Sequence, residues 1–287
     1  MSRVSIIIPS RQELFLPQTV ADLLNKAVGD IEVIAVLDGY RADLPEDKRL
    51  KVVHFNRPHG MRAAVNAGAE HATGEYYLKC DAHCMFAPGY DEALKVDIED
   101  NWVVIPRRYS LRAETWSLQE KEPIDYEHIF YPYAHPDDLG LHARPWMQRA
   151  RERKDILLDE DMGFQGSCWF MSAVHFHEHL TGMHEEEGYG WFMGEPQEIG
   201  FKTWLGPWEG KIMRNKKTWY AHLHKGKQWG RMYNMSNASR KPGNAHSFNF
   251  WWNNLWEERT HDIDWLIDRF MPIPGWPENW KEIHDRE

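Results

Sequence analysis

The first third of the chain is a succession of short apolar runs and amphipathic segments, and no other feature constrains the fold as much. The runs Val4–Pro9, Ile31–Leu37, Lys51–Phe55 and Tyr76–Asp81 alternate with helical patterns at Pro17–Ala27 and Gly60–His71, giving the order βαββαβ. Strands rich in Ile and Val that read as nearly continuous apolar segments belong to parallel sheets buried on both faces. Such sheets bind ligands beyond the carboxyl ends of their strands, and Pro9-Ser10-Arg11, Asp38-Gly39 and Asp81-Ala82-His83 all fall there.

Further along, Trp102–Pro106 and Phe164–Ser172 read as strands, separated by a polar and aromatic stretch, Tyr109–Asp161, that reads as an excursion over the sheet. Glu195–Leu205 reads as a helix with Glu198 and Lys202 at i,i+4 spacing, and Lys211–Arg214 resumes strand character. From Gly226 the composition shifts to Trp, Asn, Arg and Lys, ending in a loop-like Pro272–Trp280. The expected organisation is a catalytic domain over 1–225 and an aromatic-rich extension over 226–287, a candidate acceptor-binding subdomain.

Fifteen tryptophans among 287 residues are far above ordinary usage. Flat apolar rings stack on sugar faces and nucleobases, although such rings also fill cores. The net charge of -10 argues against coating nucleic acid or an anionic membrane through the overall field. Cys80, Cys84 and Cys168 form neither a CxxC pair nor an even set, so a reducing compartment is expected rather than a disulfide framework. The apolar run before Pro9 is too short for a signal peptide, and no uncharged stretch approaches the ~18 residues of a membrane span. A cytoplasmic location is expected, and the sequence leaves the oligomeric state open.

The sharpest chemical feature is the strand end Tyr76–Cys84, which closes on Asp81-Ala82-His83. Residues i and i+2 of an extended segment point the same way, so a carboxylate and an imidazole can face one ion. A divalent cation held so, Mn²⁺ or Mg²⁺, neutralises a diphosphate leaving group. Gly166-Ser167 offers a second feature, since a glycine lets a ligand approach backbone without a Cβ in the way.

Val4–Arg11, Val36–Gly39, Gly60–Gly68 and Gly74–Asp81 together resemble the nucleotide-binding half of GT-A glycosyltransferases of the family 2 type. Asp81-x-His83 is similar to the Asp-x-His of the polypeptide N-acetylgalactosaminyltransferases. Gly194-Glu195-Pro196-Gln197-Glu198-Ile199-Gly200-Phe201-Lys202-Thr203-Trp204 is similar to their Gly-Glu-Asn-x-Glu-x-Ser-Phe-Arg-x-Trp. The resemblance covers residues 3–106 and 160–225. It implies an α/β, Rossmann-like fold for a nucleotide-sugar, with a mostly parallel central sheet flanked by helices.

Site roles follow from the same resemblance. Pro9, Ser10, Arg11 and Glu13 would lie beside the nucleobase and ribose, Asp38 would accept from the base, and Arg62 would reach the diphosphate and assist catalysis. Asp81 and His83 would bind the metal, with Asp81 also part of the donor site. A third ligand is expected after the second block, where alignment with Gly-His-Val-Phe-Arg selects His222 and leaves His224 as its rival. Glu195 and Glu198 would be catalytic, Glu195 at the donor sugar or the acceptor hydroxyl. The bland alternative makes Glu198 and Lys202 an exposed helix pair. Trp169 and Glu185–Trp191 lie where such folds place acceptor loops, which with Gly166, Ser167, Trp191 and Glu195 completes the sugar site. Pro196 stands where inverting relatives carry an Asp base and polypeptide transferases an Asn, so the anomeric outcome stays open.

The expected activity is transfer of a sugar from a nucleotide donor, UDP-linked for preference, to a hydroxyl acceptor. A polysaccharide or glycolipid acceptor ranks ahead of hydroxymethylated bases in phage-type DNA. The DNA alternative draws on a tail that mixes Lys225, Lys227, Arg231, Arg240 and Lys241 with Trp229, Tyr233, Trp251, Trp252 and Trp256. A non-catalytic glycan- or nucleic-acid-binding module is the remaining alternative. Nucleotidyl transfer fits less well, because Pro9–Glu13 lacks a Gly-rich basic loop. His175, His177, His179 and His184 invite a zinc reading, but without cysteines or a matched carboxylate they read as a polar surface cluster.

Overall fold

The computed structural model describes residues 2–134, 139–184, 188–230 and 236–284, apart from the side chains of Lys227, Asn237 and Ala238. The acidic triplet of the 185–191 loop, with Arg231 and Tyr233 of the tail, lies outside the described residues. The expected βαββαβ order is present as β1 (Val4–Ser10), α1 (Leu16–Lys26), β2 (Ile31–Asp38), β3 (Leu50–Phe55), α2 (Met61–Glu70) and β4 (Tyr76–Cys80). There follow β5 (Cys84–Phe86), α3 (Tyr90–Lys95), β6 (Trp102–Arg112), β7 (Ser117–Leu118), β8 (Glu127–Ile129), β9 (Ala143–Pro145), α4 (Met147–Glu152), β10 (Leu158–Glu160) and β11 (Cys168–Ser172). A π-type turn at His175–His179 leads to α5 (Glu195–Leu205), β12 (Lys211–His222), α6 (Gly226–Trp229), α7 (Asn237–Trp252), α8 (Ile263–Phe270) and α9 (Trp280–His284). No helix among the described residues is long and apolar enough to cross a membrane.

The main sheet runs β10-β12-β6-β11-β4-β1-β2-β3. Its β4-β1-β2-β3 half is parallel, as the apolar runs require. The other half is mixed. β11 inserts antiparallel between β4 and β6, β12 runs parallel to β6, and β10 adds an antiparallel edge. Strand β11 is shorter than the run at 164–172, because the chain turns before Cys168 and only Cys168–Ser172 joins the ladder.

Alternate residues of β1 feed two cores, as the two-residue period of a strand demands. Ile6 and Ile8 meet Leu16, Val20 and Leu23 of α1, while Ile7 joins the cluster of Val65 and Ala69 from α2. That second cluster explains the tryptophan surplus. It takes in Phe201 and Trp204 of α5 together with Trp251, Trp252, Trp256, Ile263, Leu266, Trp276 and Trp280 from the tail. Two of its buried indoles find acceptors, Trp251 donating to the Tyr189 hydroxyl at 2.9 Å and Trp276 to the Ile129 carbonyl at 2.8 Å. The loop-like Pro272–Trp280 is therefore anchored by two buried rings.

The 109–161 excursion is also tied down. Arg214 of β12, fully buried, holds Asp161 at 2.7 Å and faces Glu127 at 3.4 Å, and Arg108 meets Glu127 at 2.9 Å. Removing one member would leave a buried charge unpaired, so this network pins the β8–β9 hairpin to the sheet.

Candidate active site

A cleft of about 530 Å³ opens at the carboxyl ends of β1, β2 and β4. Its floor carries Pro9, Ser10, Arg11, Glu13, Asp38, Asp81 and His83, its far wall is the Tyr189–Met193 segment, and Ser239 and Arg240 of α7 border it. A concave site of this size with few convergent polar groups suits a small-molecule ligand. Gly60, at φ +96°, lets the wall approach: a Cβ there would stand 2.5 Å from the Trp191 Cβ. The Met61 amide then donates to the Trp191 carbonyl at 2.9 Å, docking the wall on the start of α2.

Asp81, His83 and His222 each present a ligand atom to one point, all within 4.8 Å of one another. Sheet register does this. His222, the last residue of β12, pairs with Cys84 of β5, and the Leu223 amide donates to the His83 carbonyl at 3.2 Å. The Asp81 amide is held by the Ser167 carbonyl at 2.9 Å. His222 Nε2 lies 3.3 Å from Asp81 Oδ2 and 3.1 Å from His83 Nε2, and His83 Nε2 lies 3.7 Å from the same oxygen. Donor atoms about 2.1 Å from one ion at octahedral or tetrahedral angles stand roughly 3.0–3.4 Å apart, so this set fits a divalent cation with little adjustment. Burial pushes His222 down to about 3, which keeps its imidazole neutral and able to donate a lone pair. Against the desolvation of its recessed position, the Lys79 ammonium and the two imidazoles hold Asp81 well below the usual carboxylate range. His224 is exposed and meets His222 edge-on, at 4.9 Å between ring centroids, outside the cluster.

Behind the cluster lies a buried ion pair that sequence reasoning did not find. Lys79, 1% exposed, reaches Asp81 at 3.1 Å, Glu195 at 3.0 Å and the Gly166 carbonyl at 2.5 Å. Its only signal was a lysine in an otherwise apolar strand two residues before Asp81. Trp169 is fully buried, and its indole donates to Glu195 at 2.8 Å. Burial raises the Glu195 carboxyl above its usual range, opposed by Lys79 and by the Trp169 bond.

Several expected roles change accordingly. Glu195, Gly166, Ser167 and Trp169 sit behind the Asp81–His83–His222 cluster instead of lining the cleft: Ser167 supports the Asp81 backbone, and Trp169 and Lys79 occupy the Glu195 carboxylate. Arg62 does not reach the cleft. It is fully buried, donates to the His184 carbonyl at 2.5 Å and the Met193 carbonyl at 2.7 Å, and pairs with Glu198 beneath the Tyr189 ring. Glu198 is neither exposed nor at the site, being 1% exposed between Arg62 and Lys202 at 2.8 Å. These charges clamp the cleft wall from behind, because only a well-partnered ion tolerates that burial. Pro9, Ser10, Arg11, Asp38 and Trp191 do line the cleft. The Asp38 carboxylate accepts from the His59 and Gly60 amides at 2.5 and 3.1 Å, and Arg11 sits 5.9 Å over the Trp191 ring. Glu13 lines the cleft too, with its carboxylate turned to His83 and Lys225.

Among the histidines of the π-type turn, His175 departs from the expected surface cluster: it is fully buried between His179, at 2.9 Å, and the Thr203 hydroxyl, at 3.1 Å, whereas His177 is exposed and meets the Tyr77 hydroxyl at 2.9 Å.

Comparison with known proteins bears on the family and the fold. The polypeptide N-acetylgalactosaminyltransferase 3 of Mus musculus is 27% identical over 157 residues, 54% of this chain and 24% of that protein. The Homo sapiens protein of the same name is 26% identical over the same length. The chain spans about a quarter of the length of the curated relatives it matches. Among solved structures, GalNAc-T7 with UDP, GalNAc and Mn²⁺ superposes at a TM-score of 0.67 with 18% identity, covering 99% of this chain and 55% of that one. The mannosyltransferase PcManGT from Pyrobaculum calidifontis, with GDP-Man and Mn²⁺, superposes at 0.52 with 16% identity over 79% of this chain and 59% of that one. At such identities these two show the GT-A fold. Residues 5–180, more than half of the chain, match the sequence family described as Glycosyl transferase family 2, and the chain belongs to that family.

Proposed function

We propose that the protein transfers a glycosyl group from a nucleotide-sugar, a UDP-sugar for preference, to a hydroxyl on a glycan. The observation that carries this reading is the convergence of Asp81 and His83, on the floor of a cleft built from the strand ends of β1, β2 and β4, with His222 beside them. Asp81, His83 and His222 would hold Mn²⁺ or Mg²⁺, which when bound neutralises the charge that develops on a departing diphosphate. Asp38, Ser10 and Pro9 supply the floor for base and ribose, and Arg11 with Trp191 covers the mouth. The choice of UDP follows the structural neighbour that superposes on nearly the whole chain, whose structure contains UDP and Mn²⁺.

A polysaccharide or glycolipid acceptor is favoured over modified DNA by where the aromatic rings sit. Trp191 and Phe192 are 51% and 38% exposed at the cleft mouth, offering flat apolar faces to a sugar ring. Three of the five rings that a base-stacking tail would draw on, Trp251, Trp252 and Trp256, are buried in the core. The tail still borders the cleft through Ser239 and Arg240, so we assign residues 226–287 to acceptor binding as an extension of the 1–225 catalytic unit.

The decisive experiment incubates the full chain with UDP- and GDP-sugars, Mn²⁺ or Mg²⁺, and glycan, glycolipid or hydroxymethylated-DNA acceptors, reading nucleotide release and product mass. Metal-dependent UDP release with mass gain on a glycan is expected, with at least a tenfold loss in Trp191→Ala. No release from any donor with any divalent metal would end the transferase reading, and mass gain on DNA alone would replace the acceptor.

A further inference from the structure

The two ring nitrogens of His83 look in opposite directions. Nε2 faces the cluster, 3.1 Å from His222 Nε2 and 3.7 Å from Asp81 Oδ2, while Nδ1 stands 3.4 Å from Glu13 Oε2. A neutral imidazole offers the Nε2 lone pair to a cation only when its proton sits on Nδ1, and a carboxylate facing Nδ1 favours that tautomer. Glu13 is nearly buried, at 8% side-chain exposure, and its carboxylate is also gripped by the ammonium of Lys225, itself 8% exposed. Lys225 lies three residues beyond His222, so the end of β12 supplies one ligand of the cluster and the clamp on its neighbour.

We infer that Glu13 is a positioning residue of the metal centre, fixing the tautomer and ring orientation of His83, and that Lys225 holds the Glu13 carboxylate against Nδ1 and away from the ion. Without that clamp the centre would have two carboxylates competing for one cation, Asp81 from just after β4 and Glu13 from the loop after β1. With it, the first coordination shell is one carboxylate and two imidazoles, and Glu13 acts through His83 alone. The role differs from a contact with base or ribose, because the carboxylate is already turned to His83 and Lys225. The inference rests on the metal reading of Asp81, His83 and His222.

The test measures Mn²⁺ affinity by calorimetry and the visible spectrum of the Co²⁺-loaded full chain for wild type, His83→Ala, Glu13→Gln, Glu13→Asp and Lys225→Met. Glu13→Gln is expected to weaken Mn²⁺ binding about ten- to a hundredfold and to shift the Co²⁺ bands, with Glu13→Asp recovering part of both. Lys225→Met is expected to alter the Co²⁺ bands as Glu13 moves toward the ion. Wild type that binds no Mn²⁺, or His83→Ala that binds it equally, would remove the metal centre itself. Strong wild-type binding lost in His83→Ala, with Glu13→Gln within twofold of wild type and its Co²⁺ spectrum unchanged, would overturn the Glu13 inference alone. Should Glu13→Gln fail to fold, Glu13→Asp decides: wild-type affinity and spectrum would overturn the inference, and a weakened, shifted centre would support it.

Discussion

His222 Nε2 stands 3.1 Å from His83 Nε2, although the two residues are 139 positions apart. The contact exists because the last residue of β12 is paired with the first of β5, directly after the Asp81-x-His83 strand end. His224, two residues on, is exposed and outside the cluster. His222→Ala should therefore weaken Mn²⁺ binding by more than the roughly ten- to hundredfold associated with outer-shell partners, and His224→Ala should change it less than twofold. Isothermal titration of the two variants decides, and equal losses would discard the assignment of His222.

Lys79 is the cation between two acids, the buried Glu195 and the partly exposed Asp81. Those acids raise its affinity for the proton despite complete burial, so it stays charged. Replacing it with Met leaves uncompensated negative charge, and a loss of about 3–5 kcal/mol in urea unfolding is expected. A loss under about 1 kcal/mol would show that Lys79 does not stabilise the pair.

His175 gives the fold a dependence on pH that is independent of the cleft. Burial, with the neighbouring His179, pushes its imidazole from 6.5 down to about 3. A group depressed on folding stabilises the native state above its unfolded value and loses that contribution as the pH falls, here from 6.5 toward 3. The stability of His175→Asn should fall less steeply than that of wild type between these limits. Parallel urea midpoints against pH would show that His175 protonation does not govern the acid limb.

The tail is expected to be inseparable from the catalytic unit. Trp251, Trp252, Trp256, Ile263 and Leu266 share one apolar cluster with Phe201 and Trp204, so a chain ending at residue 225 would expose the inner faces of α5 and its neighbours. Residues 1–225 alone should bind hydrophobic dyes and lack a cooperative melt. A sharp melt with native near-ultraviolet circular dichroism would instead establish that segment as an autonomous domain.

Particular residues show what could be read in advance. The strand order to β4 was legible because Ile6–Ile8 and Val33–Leu37 are unbroken apolar runs, a local signal that needs no partner. Helix α8 is equally open to reading, with Ile263, Leu266, Ile267 and Phe270 on one face, whereas the tryptophans around it carry no period that separates core rings from ligand-stacking ones. Helix α7 was obscured, since Pro242 and Gly243 lie inside it and break the expected propensity. Arg62 and Glu198 were misplaced for a different reason. A charged side chain on a helix reads as exposed or functional, and only the packing of α2 against the cleft wall and α5 puts these two in contact.

By itself the sequence determined the parallel half of the sheet, the strand-end Asp81-x-His83 and the family they belong to, because each is written in contiguous residues as a two-residue or helical period. The tertiary structure placed His222, which the resemblance favours, beside that pair and its rival His224 outside it, and it alone turned Glu13 to His83 and tied Asp81 to Glu195 through Lys79. These relationships depend on the register of β12 against β5 and β6 and on which charges are buried together. Register and burial are set by contacts between segments far apart in the chain, and such contacts leave no period in the sequence.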